Sequence, residues 1–131
     1  TMTQEAGRKN QVSRIKSFTD LVAWQKGHDL VLWVYKLVKN FPASEQYALT
    51  NQLTRAAVSV TCNIAEGFSR STAPDKAHFY TMSQGSITEV QNLLLIARDL
   101  CYIDKLQFQE VANLSITCHK LTTGLIKKTK E

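Results

Sequence analysis

Hydrophobic residues recur along this chain at spacings of three and four with few interruptions, and that pattern predicts four long helices. The first is expected over residues 20–40, where Trp24, Gly27, Leu30, Val31, Val34, Leu37, Val38 and Phe41 share one face. Trp33 falls outside that set. At about 100° per residue it points almost opposite to Trp24 and Val31, beside Lys26, Asp29 and Lys36, which marks it as a candidate contact with another subunit or a ligand. Phe41-Pro42 closes the helix, because the residue before a proline disfavours the α region. Ser44 is the expected N-cap of a second helix over residues 44–70. Its Leu49, Leu53, Ala56, Val60, Asn63 and Gly67 form a heptad seam that narrows to Asn and Gly at its far end, where a neighbouring helix can come close.

The run Ser71-Thr72-Ala73-Pro74-Asp75 predicts a stop and restart, with Thr72 as N-cap, Pro74 in the first turn and Asp75 three residues after the cap. The third helix, residues 73–100, carries two adjacent seams. One is Phe79, Met82, Ser86, Glu89, Leu93, Ile96 and Leu100; the other is Ser83, Ile87, Val90, Leu94, Ala97 and Cys101. With Leu95 added, its second half is apolar nearly all round, more than a corner helix of a lone bundle buries. A second copy of the chain is therefore expected against it, with Leu94, Leu95 and Trp33 as candidate interface residues. Asp104 caps a fourth helix, residues 104–127, with a seam of Val111, Leu114, Cys118, Leu121 and Leu125. Short connections favour an all-α, antiparallel, up-down-up-down four-helix bundle over residues 18–127. Residues 1–17 read as a flexible basic arm and 128–131 as a basic tail.

Composition adds a charge asymmetry to this picture. The 131 residues carry a net charge of +5. Arg8, Lys9, Arg14 and Lys16 face only Glu5 in residues 1–17, and Lys120, Lys127, Lys128 and Lys130 face only Glu131 at the other end. The body between them holds eight basic and nine acidic groups, so the basicity belongs to the ends. Those eight residues are candidate contacts for nucleic acid phosphates. The longest apolar run, residues 93–97, is far too short to span a bilayer, and no secretory signal is expected. Three cysteines, Cys62, Cys101 and Cys118, all within apolar helical patterns, read as small buried hydrophobes in a reducing cytoplasm.

Catalytic chemistry finds little to stand on. Di-iron bundles use Glu-x-x-His pairs on inward faces, but Ser69 follows Glu66 at that spacing and Asn92 follows Glu89. His28, His78 and His119 stand on three helices without an i, i+4 ligand partner, so a zinc site is not expected. No nucleophile arrangement and no phosphate-cradling glycine loop is present in the spacing. The expectation is a protein that is not an enzyme and holds no cofactor or metal. What remains is a polar set where a plain bundle would place Leu: Asn63 and Glu66 on the second helix, Ser86 and Glu89 on the third. An antiparallel hairpin brings Ser86 and Glu89 near Val60 and Ala57, within reach of Arg55 and Ser59. Such a set either fixes register and partner choice through hydrogen bonds or forms a pocket for a small anion or nucleotide, using Arg55 and Arg70.

Several runs carry a resemblance: Phe18-Thr19-Asp20-Leu21, Trp24-Gln25-Lys26, Arg55-Ala56-Ala57-Val58-Ser59-Val60, Asn63-Ile64-Ala65-Glu66-Gly67, and Gly85-Ser86-Ile87-Thr88-Glu89. Over residues 18–105 the chain resembles the four-helix-bundle proteins encoded in intervening sequences of bacterial 23S ribosomal RNA genes. It is similar also to the accessory proteins of diversity-generating retroelements, which act with a reverse transcriptase and nucleic acid. The resemblance implies a left-handed bundle that assembles as a ring, typically a homopentamer, with no established enzymatic activity. It makes Arg55, Asn63, Glu66, Gly67, Ser86 and Glu89 the family motif residues, in a structural role. The expected function is a non-enzymatic oligomeric scaffold that binds RNA or DNA, or a nucleic-acid enzyme, through clustered basic ends. The alternative is a protein–protein interaction adaptor.

Overall fold

The computed structural model describes residues 15–131. Four helices account for most of them: α1, Val22–Val38; α2, Leu49–Ser69; α3, Ala73–Asp99; and α4, Lys105–Thr129. Among the described residues there is no strand. Helix α1 packs on α2 and α4, and α3 packs on the same two, consistent with a four-helix bundle. No helix among the described residues is long and apolar enough to cross a membrane.

The ends of the helices follow local chemistry. Ser17 opens a short 3-10 turn, Phe18–Asp20, through a capping box: its hydroxyl accepts from the Thr19 amide, and the Asp20 carboxylate accepts from the Ser17 amide. The chain then extends at Leu21 and α1 starts two residues later than the periodicity suggests. Ser44 does not cap α2. It lies in a second 3-10 turn, Ala43–Glu45, and α2 begins five residues further on. The Glu45 carboxylate supplies the missing acceptor, taking the Leu49 amide at 3.4 Å and the Tyr102 hydroxyl at 2.9 Å. It thereby ties the α1–α2 connection to the α3–α4 connection, where Tyr102 also packs on the Phe41 ring. Thr72 and Asp104 do cap α3 and α4, the latter in a capping box with Gln107. Helix α4 continues to Thr129, so Lys127 and Lys128 ride on its last turn, where cations complement the helix dipole.

Helix α3 ends in a Schellman motif. The Tyr102 amide donates to the Ala97 carbonyl and the Cys101 amide to the Arg98 carbonyl, with Cys101 itself at φ 63°. A Cβ in this left-handed region costs stability, and glycine is the residue that avoids the cost. Cys101 is therefore exposed at a turn, not buried in a seam, because this terminus needs a reversal at that residue.

The core is drawn from one stripe of each helix. Helix α1 contributes Ala23, Gly27, Leu30, Val34 and Leu37; α2 contributes Leu49, Leu53, Ala56, Ala57, Val60, Ile64 and Gly67. Ile64, not Asn63, takes the inward position in the penultimate turn of α2. Of the two seams on α3, the inner one is Ser83, Ile87, Val90, Leu94 and Ala97, flanked by Tyr80 and Leu93. The α2–α3 contact is closest at Gly67: a Cβ there would stand 2.7 Å from Cε1 and 2.8 Å from Cδ1 of the buried Tyr80 ring.

Two substitutions test this packing. Gly67→Ala forces the Tyr80 ring to move inside a packed core and is expected to cost about 2 kcal/mol in urea unfolding; an unchanged midpoint would contradict the close approach. Cys101→Gly removes the strained Cβ and is expected to stabilise the protein by about 1 kcal/mol; a loss of stability would contradict the assigned turn.

Candidate functional site

The polar residues singled out in the sequence separate into two groups. Asn63 and Ser86 are half-buried and belong to one hydrogen-bonded row between α2 and α3. The Asn63 amide nitrogen donates to the Ser59 carbonyl and hydroxyl, both at 2.9 Å; the Ser59 and Ser86 hydroxyls lie 2.8 Å apart; and Ser86 donates to the Met82 carbonyl. One helical turn away from Ser86, buried Ser83 donates to the Val60 carbonyl at 2.8 Å. Every hydroxyl in the row has a partner, so the polar atoms fasten the two helices without an uncompensated burial. Ser83 is the member that sequence reasoning missed. Its place in an apolar seam, one turn before Ile87, is the signal that could have found it.

Glu66 and Glu89 are exposed, and the charged members do not converge. Glu66 forms an ion pair with Arg70, whose guanidinium lies over the Phe79 ring at 4.6 Å. Next to them the Lys76 ammonium donates to the Phe68 carbonyl at the C-terminus of α2, where the helix dipole favours a cation. All of this closes the α2–α3 turn. Arg55 lies fifteen residues before Arg70, about 22 Å along α2 at the helical rise, so the two guanidiniums do not share an anion pocket. Arg55 lines an open groove between α1 and α2 with Tyr35, Val58 and Cys62. Among the described residues the ion pairs are Arg70–Glu66 and Arg98–Asp99, and Arg55 and Glu89 are in neither.

The other α3 seam is exposed only in part, because Leu93 is buried and Phe79 and Ser86 are half-buried. Met82, Ile96 and Leu100 are 45%, 40% and 50% exposed, and Leu95 is 41% exposed on the adjoining face. Leu94, expected at an interface, is instead a core residue at 1% exposure. Two adjacent apolar seams look alike in a sequence, and packing against Gly67 and Val60 selects which one turns inward. Leu95 borders an apolar groove between α3 and α4 with Phe108, Ala112 and Ile116. Trp33 also departs from expectation. It is half-buried against the core, with the Lys36 ammonium over its ring at 5.2 Å. The expectation centred the α1 face on Trp24 and Val31; the true centre, Leu30 and Leu37, lies closer to Trp33.

The basic residues that can be placed are at opposite termini of the chain. Lys16 precedes the first 3-10 turn, and Lys120, Lys127, Lys128 and Lys130 lie along and after the end of α4. Arg8, Lys9 and Arg14 lie outside the described residues. Among the described residues no three His, Cys, Asp or Glu side chains gather as metal ligands. His28 stacks on Trp24 at 4.8 Å and His78 meets the edge of Phe79. Cys62 and Cys101 are exposed, contrary to the expectation of three buried thiols, while Cys118 is buried. Burial pushes the Cys118 thiol up to about 12, with the Asp29 carboxylate acting in the same direction and Lys26 against it.

The folded chain is thus an all-α four-helix protein whose second and third helices are joined by glycine, serine and asparagine contacts. It belongs to the 23S rRNA-intervening sequence protein family, which matches residues 19–124. No curated protein matches the chain. A similar solved structure is that of a protein with unknown function from the S23 ribosomal protein family of Bacteroides thetaiotaomicron, 20% identical, with a TM-score of 0.75 over 81% of this chain and 96% of that one. At that identity the likeness concerns the fold.

The raised Cys118 value keeps its thiol neutral, so its contribution to stability is complete below pH 9 and fades as pH rises towards 12. At pH 8 a maleimide reagent is expected to modify Cys101 and leave Cys118 untouched until the protein is unfolded. Equal labelling rates at the two sites would contradict the packing of α4.

Proposed function

We propose that this protein is a non-enzymatic, self-associating scaffold whose assembly gathers basic ends into a surface for RNA or DNA. The observation that carries the reading is the set of exposed apolar side chains on α3, Met82 in its first half and Leu95, Ile96 and Leu100 at its end. Exposed apolar side chains gathered at one end of a helix, as Leu95, Ile96 and Leu100 are, mark a contact site, and a second copy is the partner always at hand. In this reading the bundle is antiparallel, supported by cross-helix pairings whose residue numbers run in opposite senses: Val60 with Ser83 and Ser59 with Ser86 between α2 and α3, Gln84 with Thr123 and Gln91 with Ser115 between α3 and α4. The assembly is a closed ring, with five copies as the number implied by the family resemblance.

Charge links the assembly to its use. One chain end with a net charge of +3 holds phosphates weakly. Five copies on one ring would present about fifteen such charges together, and multivalency converts weak contacts into useful affinity. A retroelement-type role, beside a nucleic-acid polymerising enzyme, fits the same surface. The adaptor reading has less behind it, because Trp33 packs on its own chain.

The test is a salt titration of binding to a single-stranded RNA oligonucleotide, with the wild type compared to a variant in which Lys120, Lys127, Lys128 and Lys130 are replaced by Gln. The expected result is affinity falling steeply with salt for the wild type. The variant should have a slope in log–log form shallower by more than about three, since at ~0.7 for each phosphate that no longer meets a lysine the four lysines of a single copy already account for that much and the other copies of the ring add to it. Binding that is absent at low salt, or unchanged by removal of the four lysines, would contradict the reading.

A further inference from the structure

We infer that Tyr47 of one copy seats in the groove between α3 and α4 of the next, so that self-association runs head to tail. The inference rests on the self-association proposed above and goes further by naming the two surfaces that meet. Tyr47 is 88% exposed, at the tip of the α1–α2 connection. That tip is held from within. The Gln46 amide donates to the Ala43 carbonyl at 3.1 Å and the Ala48 amide to the Glu45 carbonyl at 3.0 Å, while the Glu45 carboxylate accepts from the Leu49 amide and the Tyr102 hydroxyl. Pro42, Ala43 and Ala48 beside it are exposed too. A ring with an apolar body and a polar tip therefore projects from a fixed turn, and little ordering is left to be done when it binds.

The groove offers what such a ring needs. Leu95, Phe108, Ala112 and Ile116 give it apolar walls. Half-buried Gln91 and buried Ser115 also line it. The Gln91 amide nitrogen donates to the Ser115 hydroxyl at 3.2 Å, which leaves the Gln91 side-chain carbonyl to accept from a tyrosine hydroxyl. Among the described residues none that lines the groove is charged, in a chain where 21% of residues are. Its volume of about 270 Å³ lies below the roughly 300–1,000 Å³ of small-molecule sites and suits one aromatic side chain. Ile96 and Leu106, exposed on the same two helices, extend the apolar area that a neighbouring chain would cover. Ring and groove belong to different parts of the chain, so each copy gives one and receives one. A contact of this heterologous kind propagates and closes into a ring when the rotation between copies allows, as a five-copy assembly requires.

The experiment uses the full chain with Tyr47→Ala, which removes the ring, and Ile116→Glu, which puts a charge in the groove; both positions are exposed. Assembly is read by sedimentation velocity and folding by circular dichroism. Each variant alone is expected to keep the helical spectrum and weaken assembly by about tenfold or more. Tyr47→Phe should weaken it only a few-fold, about the share of one hydrogen bond. An equimolar mixture of Tyr47→Ala and Ile116→Glu is expected to form a species of two chains and none larger. The intact tyrosine of one variant enters the intact groove of the other, and no further ring and groove remain to continue the chain of contacts. Variants that assemble like the wild type, or a mixture that stays as single chains or grows past two, would overturn this inference alone. A wild type that sediments as a single chain would overturn the self-association beneath it.

Discussion

Tyr80 and Gly67 cannot be changed independently. The Tyr80 ring edge occupies the space that a β-carbon on residue 67 would need, and that absence lets α3 settle onto the last turns of α2. Once the helices meet there, their register is fixed up the joint: Ser83 reaches the Val60 carbonyl, and Ser86 reaches Ser59. Register in turn decides which of the two apolar seams of α3 faces the core. Ile87, Val90, Leu94 and Ala97 are committed inward, and Met82, Ile96 and Leu100 are left outside. The surface available for association is a consequence of one close contact between small and aromatic residues.

Much of this arrangement is legible in the sequence. The heptad seam of α2, its narrowing at Gly67, and the caps at Thr72 and Asp104 all depend on short-range chemistry that a sequence displays directly. The failures share a different origin. Choosing between the α3 seams, or placing Trp33 relative to the core, requires the rotation of a helix about its own axis. Periodicity gives the width of an apolar face but not its centre when neighbouring seams are both apolar. Asn63 and Ile64 illustrate the point, because a shift of one position moves a residue by about 100° and exchanges a core side chain for a flank. Ser44 and Cys101 depart from expectation because a 3-10 turn and a left-handed reversal interrupt the regular pattern.

The candidate site has the same division. Sequence brings Asn63, Ser86 and Ser59 into one neighbourhood, and they share hydrogen bonds. It also groups Glu66 with Glu89 and Arg55 with Arg70, which helix length keeps apart. Glu66 and Arg70 brace the α2–α3 turn, whereas Arg55 and Glu89 remain available on the outer face. Membership of the 23S rRNA-intervening sequence protein family agrees with the fold, and the physical features that bear on function are the exposed apolar side chains of α3 and the lysine-rich end of α4.

The mass of the wild-type protein in solution, measured by light scattering over a wide range of concentration, bears most directly on self-association. Coverage of Met82, Ile96 and Leu100 by another copy requires a mass of at least twice 14.8 kDa, five times for the ring proposed, that persists into the low micromolar range. A mass of 14.8 kDa at every concentration would mean that Met82, Ile96 and Leu100 remain in water, and the association on which the functional reading depends would not exist.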